Sequence, residues 1–431
     1  MVTLLIRAFV AAACASIAVA AVAAEGDRHT WTFDVAVGYP DVSSDLEPWT
    51  ESGHGKLRFA DDAGLAGNYF AADYRGRITD TFWVKTVLNY ADDASAGLDF
   101  TEAYLEWRPV PKSDNQHTFR FGAFYPPFSL ENSDVGWASP FSTSWSTINT
   151  WLGEEIRPIG AEWRFRRRLG FSGSPHELGA FVAGFYGNDP AGTLLFWRGF
   201  ASHDRQTRLN DELPMPPTPV FDQTGSIVGL RDQYVEPIAE IDHEPGYYAG
   251  VEWRYARRAL VQLGFYDNRA DPESFRDGQW AWHTHFSQIA AQVDLPGGFG
   301  IMSQWMTGAT YWLIGVTPTG MRTPATELVD DYFGASYLML TKRFATAHRI
   351  SARHDTFAYE REEMDLDVDA GQAWTIAYEY QATPSLALAF EWLKIESERD
   401  IWPIFYGLPS DATERQLRLK LSYRMQSPDR R

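Results

Sequence analysis

From Trp31 to Tyr39 the chain alternates with period two. Trp31, Phe33, Val35, Val37 and Tyr39 hold one set of positions, and Thr32, Asp34, Ala36 and Gly38 the other. A strand sends successive side chains to opposite faces, so this segment predicts a strand with one apolar face and an aromatic at each end. That is the face a membrane strand turns to lipid, with aromatics at both interfaces. Phe82, Val84, Leu88 and Tyr90 repeat the pattern. In Thr101–Arg108, Ala103, Leu105 and Trp107 stand against Glu102, Tyr104, Glu106 and Arg108. In His117–Tyr125, Phe119, Phe121 and Ala123 stand against Thr118, Arg120 and Gly122. The last such segment sets Leu417, Leu419, Leu421 and Tyr423 against Glu414, Gln416, Arg418, Lys420 and Arg424.

Further strands are expected at about 156–167, 177–187, 247–256, 259–267, 280–294, 298–308, 331–343, 346–358, 371–382 and 385–396. Most of these are longer than the ~5–6 residues of soluble sheets and suit tilted membrane strands of about 9–11. The expected total is about sixteen, with residues 55–60 either one of them or part of a loop, and closed bacterial barrels take an even number. No apolar run reaches the ~20 residues of a membrane helix; the nearest, Ile301–Val316, is broken by Ser303, Gln304 and Thr307. No helical pattern of useful length appears. Tight turns at Arg258 and Gly297-Gly298 alternate with long connections near 126–155 and 188–245. Short turns at one end and long loops at the other is the outer-membrane arrangement. The fold class is therefore all-β: a transmembrane antiparallel up-and-down β-barrel with long extracellular loops.

Residues 1–23 read as a secretory signal peptide, with Arg7 as the basic n-region, an Ala-rich core, and small residues at Ala21-Val22-Ala23. Residues 24–431 then form the barrel, and no composition shift marks a second domain. Cys14 is the only cysteine, so disulfides and thiolate metal sites are excluded. A net charge of −19 argues against nucleic acid as a partner. The 17 Trp, 20 Tyr and 27 Phe find their place in interfacial belts. The expected partners are outer-membrane lipid and lipopolysaccharide, small solutes or ions, the barrel-assembly machinery during biogenesis, and further copies in a homotrimer.

The face opposite the lipid side is charged with both signs. Arg108, Arg120, Arg164, Arg166, Arg254, Arg353, Arg418 and Lys420 are basic; Glu102, Glu106, Glu162, Glu252, Asp355 and Glu391 are acidic. Ionisable groups at membrane depth need water or a partner. They either line an aqueous pore and set its selectivity or pair across strands and fill the barrel. The loop 126–155 carries Trp137, Trp145 and Trp151 with Glu131, Asp134, Glu154 and Glu155. It is expected to fold into the lumen as a constriction, the alternative being an external loop packed on its own aromatics. A Glu-Trp-Arg triplet recurs as Glu106-Trp107-Arg108, Glu162-Trp163-Arg164 and Glu252-Trp253-Arg254, with Trp facing lipid and Glu and Arg the lumen.

The run Arg120-Phe121-Gly122-Ala123-Phe124-Tyr125-Pro126-Pro127-Phe128-Ser129-Leu130-Glu131 resembles the phosphate-selective porin O/P family, and Asn149–Gly160 is similar to relatives of that group. The resemblance implies a porin-like barrel over nearly all of the chain. The family's anion site uses arginines and a lysine cluster; this chain is lysine-poor and acidic, so phosphate selectivity is not carried over. The expected function is a channel for passive or weakly selective diffusion of small hydrophilic or ionic solutes. A structural or adhesin-like barrel is the alternative, ahead of an outer-membrane hydrolase, for which no G-x-S-x-G elbow is present. No catalytic residue, metal or cofactor is expected. Asp365-x-Asp367-x-Asp369 resembles the start of a calcium loop but has Ala370 where that loop needs Gly and Ile376 where it needs Glu, and it reads as a solvated loop.

Overall fold

The computed structural model describes residues 29–62, 64–93, 95, 97–170, 173–217, 233–316, 322–361 and 366–427, side chains 314–316, 322–329, 366–368 and 405 excepted. The segment read as a signal peptide lies outside them. Sixteen strands form one closed sheet: β1 (His29–Ser43), β2 (Ala66–Arg77), β3 (Phe82–Ala91), β4 (Leu98–Trp107), β5 (Asn115–Ala123), β6 (Ile159–Arg168), β7 (His176–Tyr186), β8 (Gly246–Tyr255), β9 (Ala259–Asp267), β10 (His283–Leu295), β11 (Phe299–Val316), β12 (Arg322–Phe344), β13 (His348–Arg361), β14 (Leu366–Thr383), β15 (Leu386–Glu398) and β16 (Asp411–Gln426). Each pairs antiparallel with the next, and β1 closes on β16 with Val35 opposite Tyr423. Closure leaves no sheet edge, which is what allows strands to cross a lipid bilayer. No helix of the described residues is long and apolar enough to cross one.

The sixteenth strand is β2, not residues 55–60, which belong to the loop after β1. β2 alternates weakly: its outward set of Phe70, Ala72 and Tyr74 is short, and small Ala71 breaks the inward run of Tyr69, Asp73 and Arg75. Strands β11, β12 and β14, at 18, 23 and 18 residues, are also longer than the alternation suggested. In β4 the register places Val87 opposite Glu102 but Leu88 opposite Phe100. Thr101 is thus a bulge that reverses the parity, so Phe100 and Leu105 both face outward.

Alternation and burial agree along the barrel. On β16, Leu417, Leu419 and Leu421 are 40, 46 and 49% exposed, whereas Glu414, Gln416 and Arg418 are 2, 4 and 1% exposed. The short turns, such as 256–258, 296–298 and 345–347, all lie at one end, and the long connections at the other. At the short-turn end an aromatic collar carries its polar edges on histidines. The Trp163 indole donates to His117 (3.2 Å) and the Trp253 indole to His176 (3.3 Å). The Tyr74 and Tyr378 hydroxyls meet His29 (2.7 Å) and His348 (2.8 Å). Such rings place an apolar body in lipid and a polar handle at the interface.

The expectation of no useful helix fails at α1 (Thr147–Glu155), where all nine residues are buried. A helix enclosed on every side has no solvent-facing side to segregate its polar residues, here Thr147, Asn149, Thr150, Glu154 and Glu155, from its apolar ones, and so no 3.6-residue period to read. Replacing a lipid-facing residue tests the assigned faces. Leu419→Arg should cost about 2–4 kcal/mol in urea titrations of the barrel in lipid vesicles. An unchanged midpoint would contradict the outward assignment.

Candidate functional site: the lumen and its inserted loops

Three loops from the long-loop end enter the barrel. Residues 44–65 bring Lys56 and Arg58. Residues 124–158 bring α1, and residues 187–217 bring a second short helix, α2 (Thr193–Arg198). The loop 126–155 packs inside the barrel against the inward residues Arg353, Asp355 and Glu391.

Arg353 on β13 holds two of these loops to the wall. Its guanidinium donates to Glu131 (2.8 Å), to the carbonyls of Ser144 (2.9 Å) and Trp145 (2.7 Å), and to the Ser202 hydroxyl (3.2 Å). Its Nε also donates to Asp355 (2.8 Å). Asp355 accepts the first backbone N–H of α1, from Thr147 (3.0 Å). Glu391 on β15 accepts the backbone N–H groups of Thr143 (2.7 Å) and Ser144 (3.0 Å). Charge-assisted bonds of this kind are the strong ones. Arg418 joins Asp204 of the 187–217 loop (2.8 Å). Arg353, Asp355, Glu391 and Arg418 are all 2% exposed or less. Expected as pore-lining, they instead hold inserted loops, because backbone and side-chain groups of those loops supply the partners that water was expected to supply.

Beside them, Lys56 donates to Asp369 (2.7 Å) and to the Phe200 carbonyl (2.7 Å), all buried. Asp369, read as part of a solvated loop, is thus buried; Asp365 lies outside the described residues. At Gly199, φ is +84° and a Cβ would lie 2.1 Å from Asp369, so only glycine fits. Arg198 grips Glu154 with two bonds (2.6 and 2.7 Å), and His203 adds a third (2.8 Å).

Glu154 and Glu155 are adjacent and equally buried, yet their acidities are shifted in opposite directions. Burial would raise both. Arg198 and His203 overcome it at Glu154 and hold that carboxyl down at about 2. Burial dominates at Glu155 and pushes it up to about 7, against the N–H groups of Leu194 and Leu195 and the Trp151 indole that bind it. No basic side chain reaches it among the described bonds.

The half of the barrel nearest the short turns is open. One cavity of about 730 Å³ is lined by Arg75, Lys85, Arg108, Arg120, Arg164 and Arg166 against Asp73, Asp80 and Glu106. A second, of about 340 Å³, adds Glu102, Trp137, Glu252 and Arg254. A third, of about 710 Å³, lies across the loop and includes Asp34, Arg349, Glu379, Lys420 and Arg424. The tip of the 126–155 loop separates them. Asp134 borders the second and third cavities and is held to the wall by Arg424 (2.8 Å).

The charges in the first two cavities are arranged in threes, two arginines to one glutamate. Glu106 lies between Arg75 (2.9 Å) and Arg108 (2.7 Å). Glu162 lies between Arg120 (2.7 Å) and Arg164 (2.5 Å), and also accepts from the Tyr248 hydroxyl (2.6 Å). Glu252 lies between Arg166 (3.1 Å) and Arg254 (2.9 Å). In each, Glu and Arg of one Glu-Trp-Arg triplet share a face; the other arginine comes from the adjacent strand at Glu162 and from two strands away at Glu106 and Glu252. Arg120 apart, these arginine side chains are 29–48% exposed. Arg75, Lys85, Lys56 and Asp369 were absent from the sequence candidates; Arg75 was missed with its strand.

Among solved structures, the outer-membrane channel DcaP of Acinetobacter baumannii matches with a TM-score of 0.54 and 11% identity, covering 93% of this chain and 99% of that one. The anion-selective porin from Comamonas acidovorans matches with a TM-score of 0.50 and 10% identity, covering 92% and 99%. The shared feature is the fold. No protein-family model matches the chain, and no curated protein matches it.

Glu155 sets a pH signature for the plug. Its folded value lies above the ordinary 4.5, so the folded state holds the proton more tightly. The stability this gives is present below about 4.5 and is lost as pH rises through about 7. The ionised form costs on the order of 3 kcal/mol. Glu155→Gln should therefore raise the melting temperature relative to the native chain at pH 8, with much less difference at pH 4. Equal differences at both pH values would refute the assignment.

Proposed function

We propose that the protein is an outer-membrane porin-like channel for diffusion of small hydrophilic solutes and ions, with anions favoured on entry from the short-turn side. Export by the 1–23 signal peptide, contact with lipopolysaccharide and assembly as a homotrimer belong to this reading, as does kinship with the phosphate-selective porin O/P family. No catalytic role is assigned to any residue. The observation that carries it is the ratio in the triads: six arginines face three buried glutamates, and five of the six reach the open cavities, although the chain as a whole is acidic. Arginine is always charged and binds carboxylates and phosphates in pairs of bonds. A cleft of one sign between low-dielectric walls focuses its field on passing ions, and rings of charge set selectivity in channels.

The buried plug favours a second reading, a structural barrel without an open pore. Bilayer recordings separate the two. Under a salt gradient the reversal potential should have the sign of anion preference. Arg164→Gln with Arg254→Gln should move it towards zero. Deletion of 129–150 should enlarge the single-channel conductance, because that loop occupies the lumen. Absence of current from both the native chain and the deletion would instead support the closed barrel.

A further inference from the structure

One cluster at the long-loop end plays no part in the lumen. Asp189 begins the connection after β7, and Glu240 and Asp242 lie where it returns towards β8. One ligand oxygen from each of these three carboxylates lies within 4.8 Å of the other two. Asp189 is fully buried. Its Oδ2 accepts the backbone N–H groups of Ile241 (2.5 Å) and Asp242 (3.3 Å), while its equally buried Oδ1 has no hydrogen-bond partner. A carboxylate oxygen removed from water without a donor is unfavourable, and two neighbouring carboxylates make it more so. Among the described residues the basic side chain within ion-pair distance of this group is the imidazole of His243, 3.6 Å from Glu240 and 73% exposed, which is weak compensation.

We propose that Asp189, Glu240 and Asp242 bind a hard divalent cation of the calcium type. The donor set is entirely oxygen, which suits calcium and offers nothing to softer metals that prefer nitrogen or sulfur. The three side chains are already oriented by backbone N–H groups. Gly187 (2.5 Å) and His243 (2.6 Å) donate to Glu240; Glu244 (2.8 Å) and Asp271 donate to Asp242. The orphaned Oδ1 of Asp189 supplies the buried ligand, Glu240 and Asp242 the half-exposed ones, and water completes the six to eight oxygens calcium takes. The ion joins the first residues of the long loop to its last. Through Asp271 it also reaches the 268–282 loop, whose Trp282 donates its backbone N–H to the Asp189 carbonyl (2.8 Å). It acts as a staple across the mouth of the barrel.

The test uses the full barrel folded in detergent and stripped of divalent ions with a chelator. Calcium chloride is titrated by calorimetry, and terbium is titrated by luminescence excited through tryptophan, with Trp282 beside the site. One saturable site is expected with a dissociation constant on the order of 10⁻⁴–10⁻³ M, the range of extracellular calcium modules. Calcium should displace terbium and raise the melting temperature. Glu240→Gln with Asp242→Asn should weaken binding at least tenfold and abolish the thermal shift. Both residues are half-exposed, so the variant keeps its fold, and far-ultraviolet circular dichroism checks this. No saturable binding by the native chain would overturn the proposal. So would unchanged binding by the variant, which would mark a diffuse acidic surface.

Discussion

A closed sheet in a bilayer gives each inward side chain two kinds of partner, water or other parts of the protein. Lipid is reserved for the outward face. Sixteen strands enclose more space than side chains alone can fill, so the interior must hold water or inserted chain. This barrel uses both, at different heights. The division between them decides what each inward charge does. Arg353 shows one outcome. On sequence it is an arginine on a lumen face, equivalent to Arg164 or Arg254. In the structure it binds Glu131, two backbone carbonyls and Ser202, and holds two loops against one wall. Truncating such a residue would strand buried acceptors, and breaking a buried charged network by one partner is far costlier than losing an exposed pair.

The long-loop half is consequently a folded core inside a barrel. It has what a soluble core has: an enclosed helix, a buried Lys56–Asp369 pair, and aromatic rings on charged groups, such as Arg198 over Trp49 at 4.7 Å. Loops are ordinarily surface features because buried backbone polar groups need partners. Here the barrel wall supplies them. Glu391 takes the N–H groups of Thr143 and Ser144, and Asp355 takes that of Thr147. These inward acids are the acceptors that let a loop be buried.

Much of the fold was legible, because period two is all that a lipid-facing strand requires. The segments that failed had a reason in side-chain size or backbone. β2 has small residues on both faces. The bulge at Thr101 reverses the parity of β4, and α1 has no side turned to solvent. The site was legible in part. Glu-Trp-Arg gave the triads, since Glu and Arg two apart share a face while Trp takes the other. It did not give the third member of each, which depends on cross-strand register and, for Arg75, on a strand that was missed. Nor could a face assignment tell wet from dry. Arg254 and Arg418 occupy the same kind of position, yet the Arg254 side chain is 33% exposed and that of Arg418 1%. The difference lies in loops more than a hundred residues away in sequence.

The same loops give the remaining open charge its leverage. In a wide, water-filled barrel, three arginine-rich triads would be screened within about 8–10 Å at physiological salt, and a net charge of −19 on the chain would compete with them. The plug changes that geometry. It fills part of the interior and divides the open volume into cavities, two of them walled by triad arginines, so that field lines there pass through less solvent and more protein. Excess positive charge on two arginines per glutamate then acts at the place where an entering ion must pass. Overall acidity and a locally basic passage are compatible. Acids such as Asp355 and Glu391 hold the loops, and in the triads two arginines meet each glutamate.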